Sequence, residues 1–270
     1  MRVTRRQLLG AVAAGGAAAV GAGFYGIVVE PRRLIITRAT LPLVGLPRPL
    51  AGLRVGLASD LHHGHLTASD MVTAVADALR AEAPDLVVLA GDYVTWSDRQ
   101  AVAPCAAALT PLRAPHGVFA VLGNHDPEPT VKTEFEACGI RVLKDEHEDI
   151  EVRGEPVSVG GLRYWSRRVE DVRRVFRGAR GFPILIAHDP RRLTQAAEEG
   201  VGLVLSGHTH GGQVVLPGIG APAAARFPVV YGPARRRETT LFVSRGVGTV
   251  VLPVRINCPP EVAILTLARA

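Results

Sequence analysis

The feature that most constrains the fold is a series of short apolar runs, each followed at or near its end by a polar residue. The runs occupy 53–58, 85–90, 117–122, 183–187 and 201–205, and apolar residues at helical spacing predict helices at 68–82, 99–109 and 191–198. Strands that alternate with helices predict parallel βαβ units. Ligands of such sheets bind beyond the carboxyl ends of the strands, so the polar residues there are the candidate functional groups.

Five motifs supply these polar groups. In chain order they are Asp60-Leu61-His62, Gly91-Asp92, Gly123-Asn124-His125-Asp126, His188 and Gly207-His208-Thr209-His210. Gly-Asn is also typical of a turn, so the third motif alone predicts a strand-to-loop corner equally well. The case for function is the recurrence of such residues at five strand ends.

The residue types point to metal binding. Carboxylate, imidazole and amide ligands without thiolates suit divalent Mn, Fe or Zn. They are too many for one tetrahedral ion, whereas a binuclear site with ions about 3.5–4 Å apart uses this number, and Asp92 is the candidate bridging ligand. Asp60 and His62, two residues apart in an extended segment, can reach one ion. His208 and His210 can share one ion, or a loop can direct them to different ions.

The five motifs, in this order, resemble those of the calcineurin-like metallophosphoesterases. The resemblance covers roughly residues 53–212, and no motif is missing. Each motif alone is weak evidence, but five in order are strong evidence. The resemblance implies an α/β fold (α+β in some schemes): a four-layer αββα sandwich of two mixed β-sheets flanked by helices.

The same resemblance implies a role for each motif residue. Asp60, His62 and His210 would hold the first metal; Asn124, His188 and His208 would hold the second; and Asp92 would bridge the two. His125 would face the phosphate as general acid or transition-state stabiliser, and Asp126 would orient it. The cofactors would be two divalent ions.

The predicted function is therefore that of a binuclear metal-dependent phosphohydrolase. A hydroxide held by the metals would attack a phosphodiester or phosphomonoester in line. One alternative is a lipid-linked sugar-nucleotide pyrophosphatase at the membrane, and another is a non-catalytic scaffold of the same fold, although such members usually lack ligands that are present here. An iron oxygenase site would need only two histidines and one carboxylate, fewer ligands than this chain offers.

The C-terminal stretch 244–261 is similar to a bacterial branch of the family that is exported or membrane-associated. In that branch some members act on phospholipid-like or sugar-nucleotide pyrophosphate substrates. Arg255 and Asn257 in this stretch are candidate substrate-binding residues, since guanidinium matches phosphate oxygens in a bidentate fork. A structural role for them is an equal alternative.

Composition limits the partners. The net charge of +6 falls to +3 without the three arginines of residues 1–29, which is too mild to indicate nucleic-acid binding. The resemblance implies a phosphorylated substrate as partner, with lipid or cell wall as one possible source and membrane association as a further option. Arginines at 167–180 predict a solvated face, or alternatively a surface for anionic lipid or wall polymer.

The N-terminus carries a targeting pattern. Arg5 and Arg6 precede an uncharged run of small and apolar residues from Leu8 to Val29. This resembles a twin-arginine signal, and a plain membrane anchor of spanning length is the alternative. We expect export through the twin-arginine translocase to the wall, the periplasm or the outer side of the membrane. The predicted organisation is a signal or anchor at 1–29 and one metallophosphoesterase domain at 30–270.

Overall fold

Two six-stranded mixed sheets form the molecule, with helices on their outer faces. The computed structural model describes residues 4–270, apart from the side chains of Leu8, 11–14 and 17–19. The first sheet has the order β1-β12-β2-β3-β4-β5 and the second β10-β11-β9-β8-β7-β6. The predicted α/β sandwich of two mixed sheets is confirmed.

The first sheet carries the predicted βαβ units. Its strands are β1 (Ile35–Leu43), β2 (Arg54–Ala58), β3 (Leu86–Leu89), β4 (Val118–Ala120), β5 (Arg141–Val142) and β12 (Glu261–Arg269). Strands β2 to β5 are mutually parallel, β12 is antiparallel to β2, and β1 is parallel to β12. The crossover helices are α2 (Ser69–Glu82), α3 (Val102–Leu109) and α4 (Glu128–Ala137). The carboxyl ends of β2, β3 and β4 therefore lie at one edge.

The second sheet brings the remaining motifs to the same end of the molecule. Its strands are β6 (Glu146–Val152), β7 (Glu155–Leu162), β8 (Phe182–Ala187), β9 (Leu203–Ser206), β10 (Gly232–Arg236) and β11 (Thr239–Val243). Strands β7, β8, β9 and β11 are mutually parallel. Two short helices, α5 (Asp171–Val175) and α6 (Leu193–Glu198), cover its outer face.

Alternating apolar side chains explain the layers. In β3, Leu86 and Val88 point into the core between the two sheets, whereas Val87 and Leu89 point towards α2 and α3. Successive side chains of a strand face opposite sides, so a wholly apolar strand is buried on both. This is why the sequence identified the central strands.

The sequence missed the elements with weaker patterns. Helix α4 and strands β5, β6 and β10 were not predicted. β6 and β10 are sheet edges, and their polar, partly exposed residues hide the alternation. The sequence also predicts a strand from the apolar residues near 213–216, but that segment forms only isolated bridges from Val214 to Ile256 and from Leu216 to Gly220.

The N-terminal segment is helical from Arg5 and ends in contact with the domain. Helix α1 (Arg5–Phe24) is followed by a helical turn at Tyr25–Val29. Over residues 4–270, no helix combines the length and the apolar character that crossing a membrane requires. Gly26 is buried, and its carbonyl accepts a hydrogen bond of 2.9 Å from Arg255 N–H. Packing against the domain thus starts within the segment 1–29 that the sequence set apart.

Candidate metal centre

The loops that carry the motifs have unusual backbone conformations. Asp60, His62, Asp92, His208 and His210 have φ angles of 54°, 44°, 56°, 73° and 53°. Residues other than glycine rarely adopt positive φ, and each such residue costs about 1–3 kcal/mol unless its surroundings hold it. These five predicted ligands therefore sit where the fold stores backbone strain, as functional sites often do.

One group of side chains joins the end of β2 to the loop after β9. Asp60, His62 and His210 each place a ligand atom within 4.8 Å of the others. His62 Nε2 is 3.1 Å from His210 Nε2, which is itself 3.4 Å from Asp60 Oδ1. The other ring nitrogens bond outside the group: His62 Nδ1 to Thr95 Oγ1 at 3.1 Å and His210 Nδ1 to the Gly248 carbonyl at 3.4 Å. These bonds aim both Nε2 atoms at the carboxylate.

A second group joins β3 to the second sheet. Asp92, His188 and His208 also place ligand atoms within 4.8 Å of one another. His188 Nδ1 donates to the Ala90 carbonyl at 2.7 Å, which leaves Nε2 to face Asp92 Oδ2 at 3.2 Å. Within the described chain, the buried Asn124 Oδ1 has no hydrogen-bond partner, and His188 Nε2 lies near Asp92 Oδ2 without the geometry of a hydrogen bond. Buried polar atoms normally have one, so these two atoms fit metal ligands.

Asp92 belongs to the second group and also faces the first. Its Oδ2 is 3.2 Å from His188 Nε2 in the second group and 3.6 Å from His62 Nε2 in the first. Its other oxygen, Oδ1, accepts a hydrogen bond of 2.8 Å from His125 N–H. One carboxylate thus reaches both groups and is held from behind.

The electrostatics of the site favour bound cations. Burial raises the pKa of Asp60 to about 6, and the charge of Asp92 adds to this although His188 opposes it. Burial lowers the pKa of His62 to about 4 and that of His208 to about 3. Burial also lowers the pKa of His188, but Asp92 and Asp60 outweigh it and raise the pKa to about 10. A proton on His188 would compete with a cation between the carboxylates, since a ligating imidazole must be neutral.

Two motif glycines allow the close approach of these loops. A Cβ on Gly123 would lie 2.1 Å from Asp92 Oδ1, and one on Gly207 would lie 2.4 Å from Asp60 Oδ2. Side chains at these positions would displace the carboxylates. The glycine that opens each of these two motifs is therefore a steric requirement of the site.

His125 borders both groups without joining either. Its ring lies 5.0 Å from the His62 ring, and its Nδ1 accepts a hydrogen bond of 3.1 Å from Trp96 N–H. The neutral ring therefore carries its proton on Nε2. Burial lowers the pKa of His125, with Asp92 opposing and His188 adding to the shift, which favours this neutral form.

Asp126 holds backbone rather than the His125 ring. Its Oδ2 accepts from the N–H groups of Asp92 (2.9 Å) and Gly123 (2.8 Å), and its Oδ1 accepts from Tyr93 N–H (2.7 Å). The sequence predicted that Asp126 orients His125. In the structure Trp96 N–H donates a hydrogen bond to the ring, and Asp126 joins the loop of Asp92 to the GNHD loop, so the orienting role of Asp126 stays a prediction.

Comparison with known proteins identifies the family. The model of the calcineurin-like phosphoesterases matches residues 53–212, which include all five motifs. The chain belongs to this family. As the sequence predicted, it is a metal-dependent phosphoesterase, a hydrolase that acts on phosphoesters.

Relatives of this phosphoesterase match along nearly its whole length. It is 30% identical to the uncharacterized metallophosphoesterase YkuE of Bacillus subtilis, over 98% of each chain. It is also 30% identical to the phosphodiesterase YaeI of Escherichia coli, over 98% of this chain and 99% of that one. The structure of Haemophilus influenzae NAD nucleotidase superposes with a TM-score of 0.53 at 16% identity, over 72% of this chain and 45% of that chain. That likeness concerns the fold alone.

The phosphoesterase uses Arg255 within its framework. The side chain is fully buried, and its two Nη atoms donate to the carbonyls of Arg245, Cys258 and Gly248. Asn257 is exposed, and its Nδ2 donates to the Val215 carbonyl at 3.0 Å. These contacts favour the structural alternative for both residues, and contact with substrate stays a prediction.

Sequence reasoning missed several residues around the phosphoesterase centre. Thr95 meets His62, and the rings of Tyr164 and Phe227 lie 5.1 and 5.3 Å from that of His208. Aromatic residues make up only 5% of the chain. The position of Tyr164 directly after strand β7 was therefore a sequence signal that it lies near the site. Conversely, His63 bonds through both ring nitrogens, to the Ala101 carbonyl and Ser69 Oγ, and is structural.

Proposed function

We propose that the chain is a binuclear phosphohydrolase. The observation that carries this is the pair of three-residue groups, each within 4.8 Å, with Asp92 facing both. Asp60, His62 and His210 would hold one ion. His188, His208 and Asn124 would hold the other, and Asp92 would be shared.

The donor set suits Mn, Fe or Zn because it combines imidazole nitrogens with carboxylate and amide oxygens and contains no thiolate. Two such ions, when bound, supply an activated water and stabilise the charge of a phosphoryl group. The protein side chains fix the ligand directions. His62, His188 and His210 each bond through Nδ1 and direct Nε2 inwards.

His125 would act from beside the ions. With Trp96 N–H donating to its Nδ1, the neutral ring offers Nε2–H as a hydrogen-bond donor. A donor placed there stabilises charge that develops on a phosphoryl or leaving-group oxygen. A protonated ring would carry a second proton on Nδ1, and that N–H would face the N–H donor of Trp96. The arrangement therefore favours transition-state stabilisation by the neutral ring over proton transfer.

The substrate would be a phosphodiester or phosphomonoester met outside the cytoplasm. The relative YaeI is named a phosphodiesterase, which supports the diester. A lipid-linked sugar-nucleotide pyrophosphate is the alternative, and a substrate panel that includes a pyrophosphate separates them.

The direct test is hydrolysis of bis-p-nitrophenyl phosphate by protein loaded with Mn, Fe or Zn, together with metal analysis. We expect turnover that depends on metal and about two ions per chain. One ion per chain would contradict the binuclear assignment. Inactivity of the loaded protein on diesters, monoesters and pyrophosphates would contradict the enzyme itself.

The first prediction concerns Asp92→Asn. The substitution removes the shared negative charge between the two groups, so both ions should bind more weakly. Loss of a residue that only hydrogen-bonds to a metal ligand costs about ten- to a hundredfold in metal affinity or activity. Loss of Asp92, which would itself be a ligand, should cost more. Metal content and the diester rate measure the effect. Asp70→Asn, an exposed carboxylate on α2, is the control and should change neither. An unchanged rate in Asp92→Asn would exclude the bridging role.

Export is a further part of the proposal. Arg5 and Arg6 before an uncharged run support passage through the twin-arginine translocase. Replacing both arginines by lysine should keep the protein in the cytoplasm, and cell fractionation measures this. Since Arg255 N–H bonds the Gly26 carbonyl, cleavage compatible with the fold would fall before Gly26.

A further inference from the structure

Exposed large apolar side chains are confined to one end of the domain. Among residues 31–270 they lie on the loops 59–68, 90–98, 163–170, 207–231 and 244–260. The most exposed are Trp96 (70%), Trp165 (63%), Ile219 (72%), Val251 (72%) and Leu252 (62%). Single exposed apolar residues are ordinary, but a clustered set marks an interaction surface.

The topology places all five loops beside the metal centre. They follow the carboxyl ends of β2, β3, β7, β9 and β11, the strand ends at which both sheets present the site. The loops at the other end lie at 44–53, 83–85, 110–117, 138–140, 153–154, 176–181, 199–202 and 237–238, and they expose no large apolar side chain in the described structure.

Both tryptophans lie close to the centre, Trp96 on the flank of His125 and Trp165 on the flank of His208. The Trp96 ring lies 4.8 Å from that of His125. The Trp165 ring lies 4.9 Å from that of Tyr164, which lies 5.1 Å from His208. The mouth of the site is therefore edged by exposed indoles, side chains that favour the boundary between water and lipid headgroups.

The N-terminal segment reaches the same surface. β1 is parallel to β12, whose first residue bonds the Gly246 carbonyl, so residues 25–34 enter the domain at the site end. A groove with a volume of about 540 Å³ has Ile27, Leu66 and Pro253 in its lining. Leu66 also lines a cavity with Trp96. The apolar surface thus runs from the N-terminal segment to the mouth of the site.

Arginines complete the surface. Arg167 lies over Trp165 at 5.1 Å, Arg226 over Phe227 at 5.1 Å and Arg245 over Tyr231 at 4.5 Å. The salt bridges of the described chain include none of these three, whereas nearby Arg191 is paired with Asp189. Guanidinium groups on aromatic rings, interspersed with apolar residues, suit anionic lipid headgroups above an apolar layer.

Val251 adds a local observation. It is β-branched, has a φ of 67°, and is 72% exposed. A β-branched residue at positive φ is strained, and exposure brings no burial to offset the strain. The loop thus exposes an apolar side chain to solvent although its backbone is strained. This is consistent with contact between Val251 and another molecule.

We propose that this end of the molecule docks on an anionic phospholipid bilayer, with the metal centre facing the headgroups. Docking itself follows from the surface. The corresponding substrate class, the phosphoester of a lipid headgroup, rests on the proposed function. A bilayer fits the surface better than a protein partner does because the apolar residues are spread over five separate loops and only some of them line the groove.

Tryptophan fluorescence tests the docking directly. The chain has two tryptophans, both on this surface, so no other indole contributes to the signal. We would add the full, metal-loaded chain to phosphatidylcholine vesicles with and without phosphatidylglycerol, carrying brominated acyl chains as quenchers. Trp165→Phe and Trp96→Phe leave one reporter on each flank. Both reporters should shift to shorter wavelength and be quenched on anionic vesicles, far less on neutral ones.

Paired variants separate the surface from general charge. Ile219→Ser with Leu252→Ser changes exposed side chains only, so the fold should persist while vesicle binding falls about tenfold or more. Arg167→Gln with Arg226→Gln should also weaken binding about tenfold or more. The matched control, Arg177→Gln with Arg237→Gln, makes the same charge change at the other end and should have little effect. Equal losses in the two arginine pairs would overturn the proposal.

Other outcomes also decide the matter. Vesicle binding with both indoles unquenched would overturn the proposal and assign membrane contact to another part, such as α1. A concentration-dependent emission change and dimer formation without vesicles would make a second copy the occupant. Failure to hydrolyse a soluble diester, with both indoles quenched, would contradict the proposed function and leave docking intact. Hydrolysis of the soluble diester, with both indoles unquenched on anionic vesicles, would contradict docking and leave the proposed function intact.

Discussion

Individual hydrogen bonds decide how each site residue can act. The imidazoles of His62, His188 and His210 use Nδ1 for partners outside the site, so Nε2 is left for a cation. His125 has the opposite arrangement: its Nδ1 accepts from backbone, and its proton sits on Nε2. The same side chain thus serves as ligand or as hydrogen-bond donor according to one neighbouring atom.

The second prediction tests this role of His125. Its replacement by alanine should lower kcat about a hundredfold or more with little change in metal content, because the ring donates to charge that develops during reaction. A stabiliser of phosphoryl charge should matter equally for p-nitrophenyl and alkyl diesters. A much larger loss on the alkyl ester, whose leaving group needs a proton, would instead show general-acid catalysis.

The third prediction concerns Asp126→Asn. The asparagine side chain has only one acceptor oxygen. If that oxygen accepts from the N–H groups of Asp92 and Gly123, its NH₂ group faces Tyr93 N–H, which is also a donor. One buried N–H then lacks a partner, which should lower the free energy of unfolding by about 1–3 kcal/mol. Urea unfolding of the metal-free protein measures this. A change below about 0.5 kcal/mol, as expected for an exposed residue, would contradict the account.

At the scale of elements, strands bring the site together and loops complete it. The ends of β2, β3 and β4 present Asp60, Asp92 and Asn124, while β8 and β9 present the histidines. Gly123 and Gly207 let these loops touch, since a Cβ at either would strike a carboxylate. The buried Arg255 then ties the C-terminal loop to Gly248, whose carbonyl holds His210.

The fourth prediction belongs to the N-terminal segment. The buried carboxylate of Glu30 accepts a hydrogen bond from Cys258 N–H. Glu30→Ala leaves that N–H unpaired, so the free energy of unfolding should fall by about 1–3 kcal/mol. Glu238→Ala, in the exposed turn between β10 and β11, is the control and should stay within about 0.5 kcal/mol. Equal stability of the two variants in urea would show that the hydrogen bond from Cys258 N–H to Glu30 adds nothing to the stability of the fold.

At the scale of the whole molecule, the two sheets pack face to face, and the carboxyl ends of strands from both sheets meet at the metal centre. Asp60 and His62 come from one sheet and His210 from the other, so bound ions would join the halves of the sandwich. A ligand that binds only the folded state stabilises it by about 2.7 kcal/mol at a hundred times its Kd. Metal binding should therefore act on stability as well as on activity.

The fifth prediction follows from this linkage. Removing metal with a chelator should lower Tm by about 5 °C or more, given about 2–4 °C per kcal/mol for a chain of this size. Calorimetry of loaded and chelated protein measures the shift. Asp92→Asn should show a much smaller difference between the two states. If the wild-type Tm were the same with and without metal, this would contradict a metal centre that links the two sheets.

The sequence by itself determined the central strands, the βαβ order and the identity of the motif residues. Buried strands are nearly all apolar and motif residues follow them directly, so these features are local in the chain. The sequence did not predict edge strands such as β6 and β10, because their polar, half-exposed residues show no clear alternation of apolar and polar positions. Metal-ligand roles for the motif residues stay predictions that the geometry supports.

Only the tertiary structure decided what each side chain faces. The partners of Asp126 and His125, the burial of Arg255, and the gathering of exposed indoles at the site end depend on loops far apart in the chain. A hydrogen bond or a common surface between such loops leaves no spacing in the sequence. The fold supplies it by aligning the carboxyl ends of parallel strands at one edge.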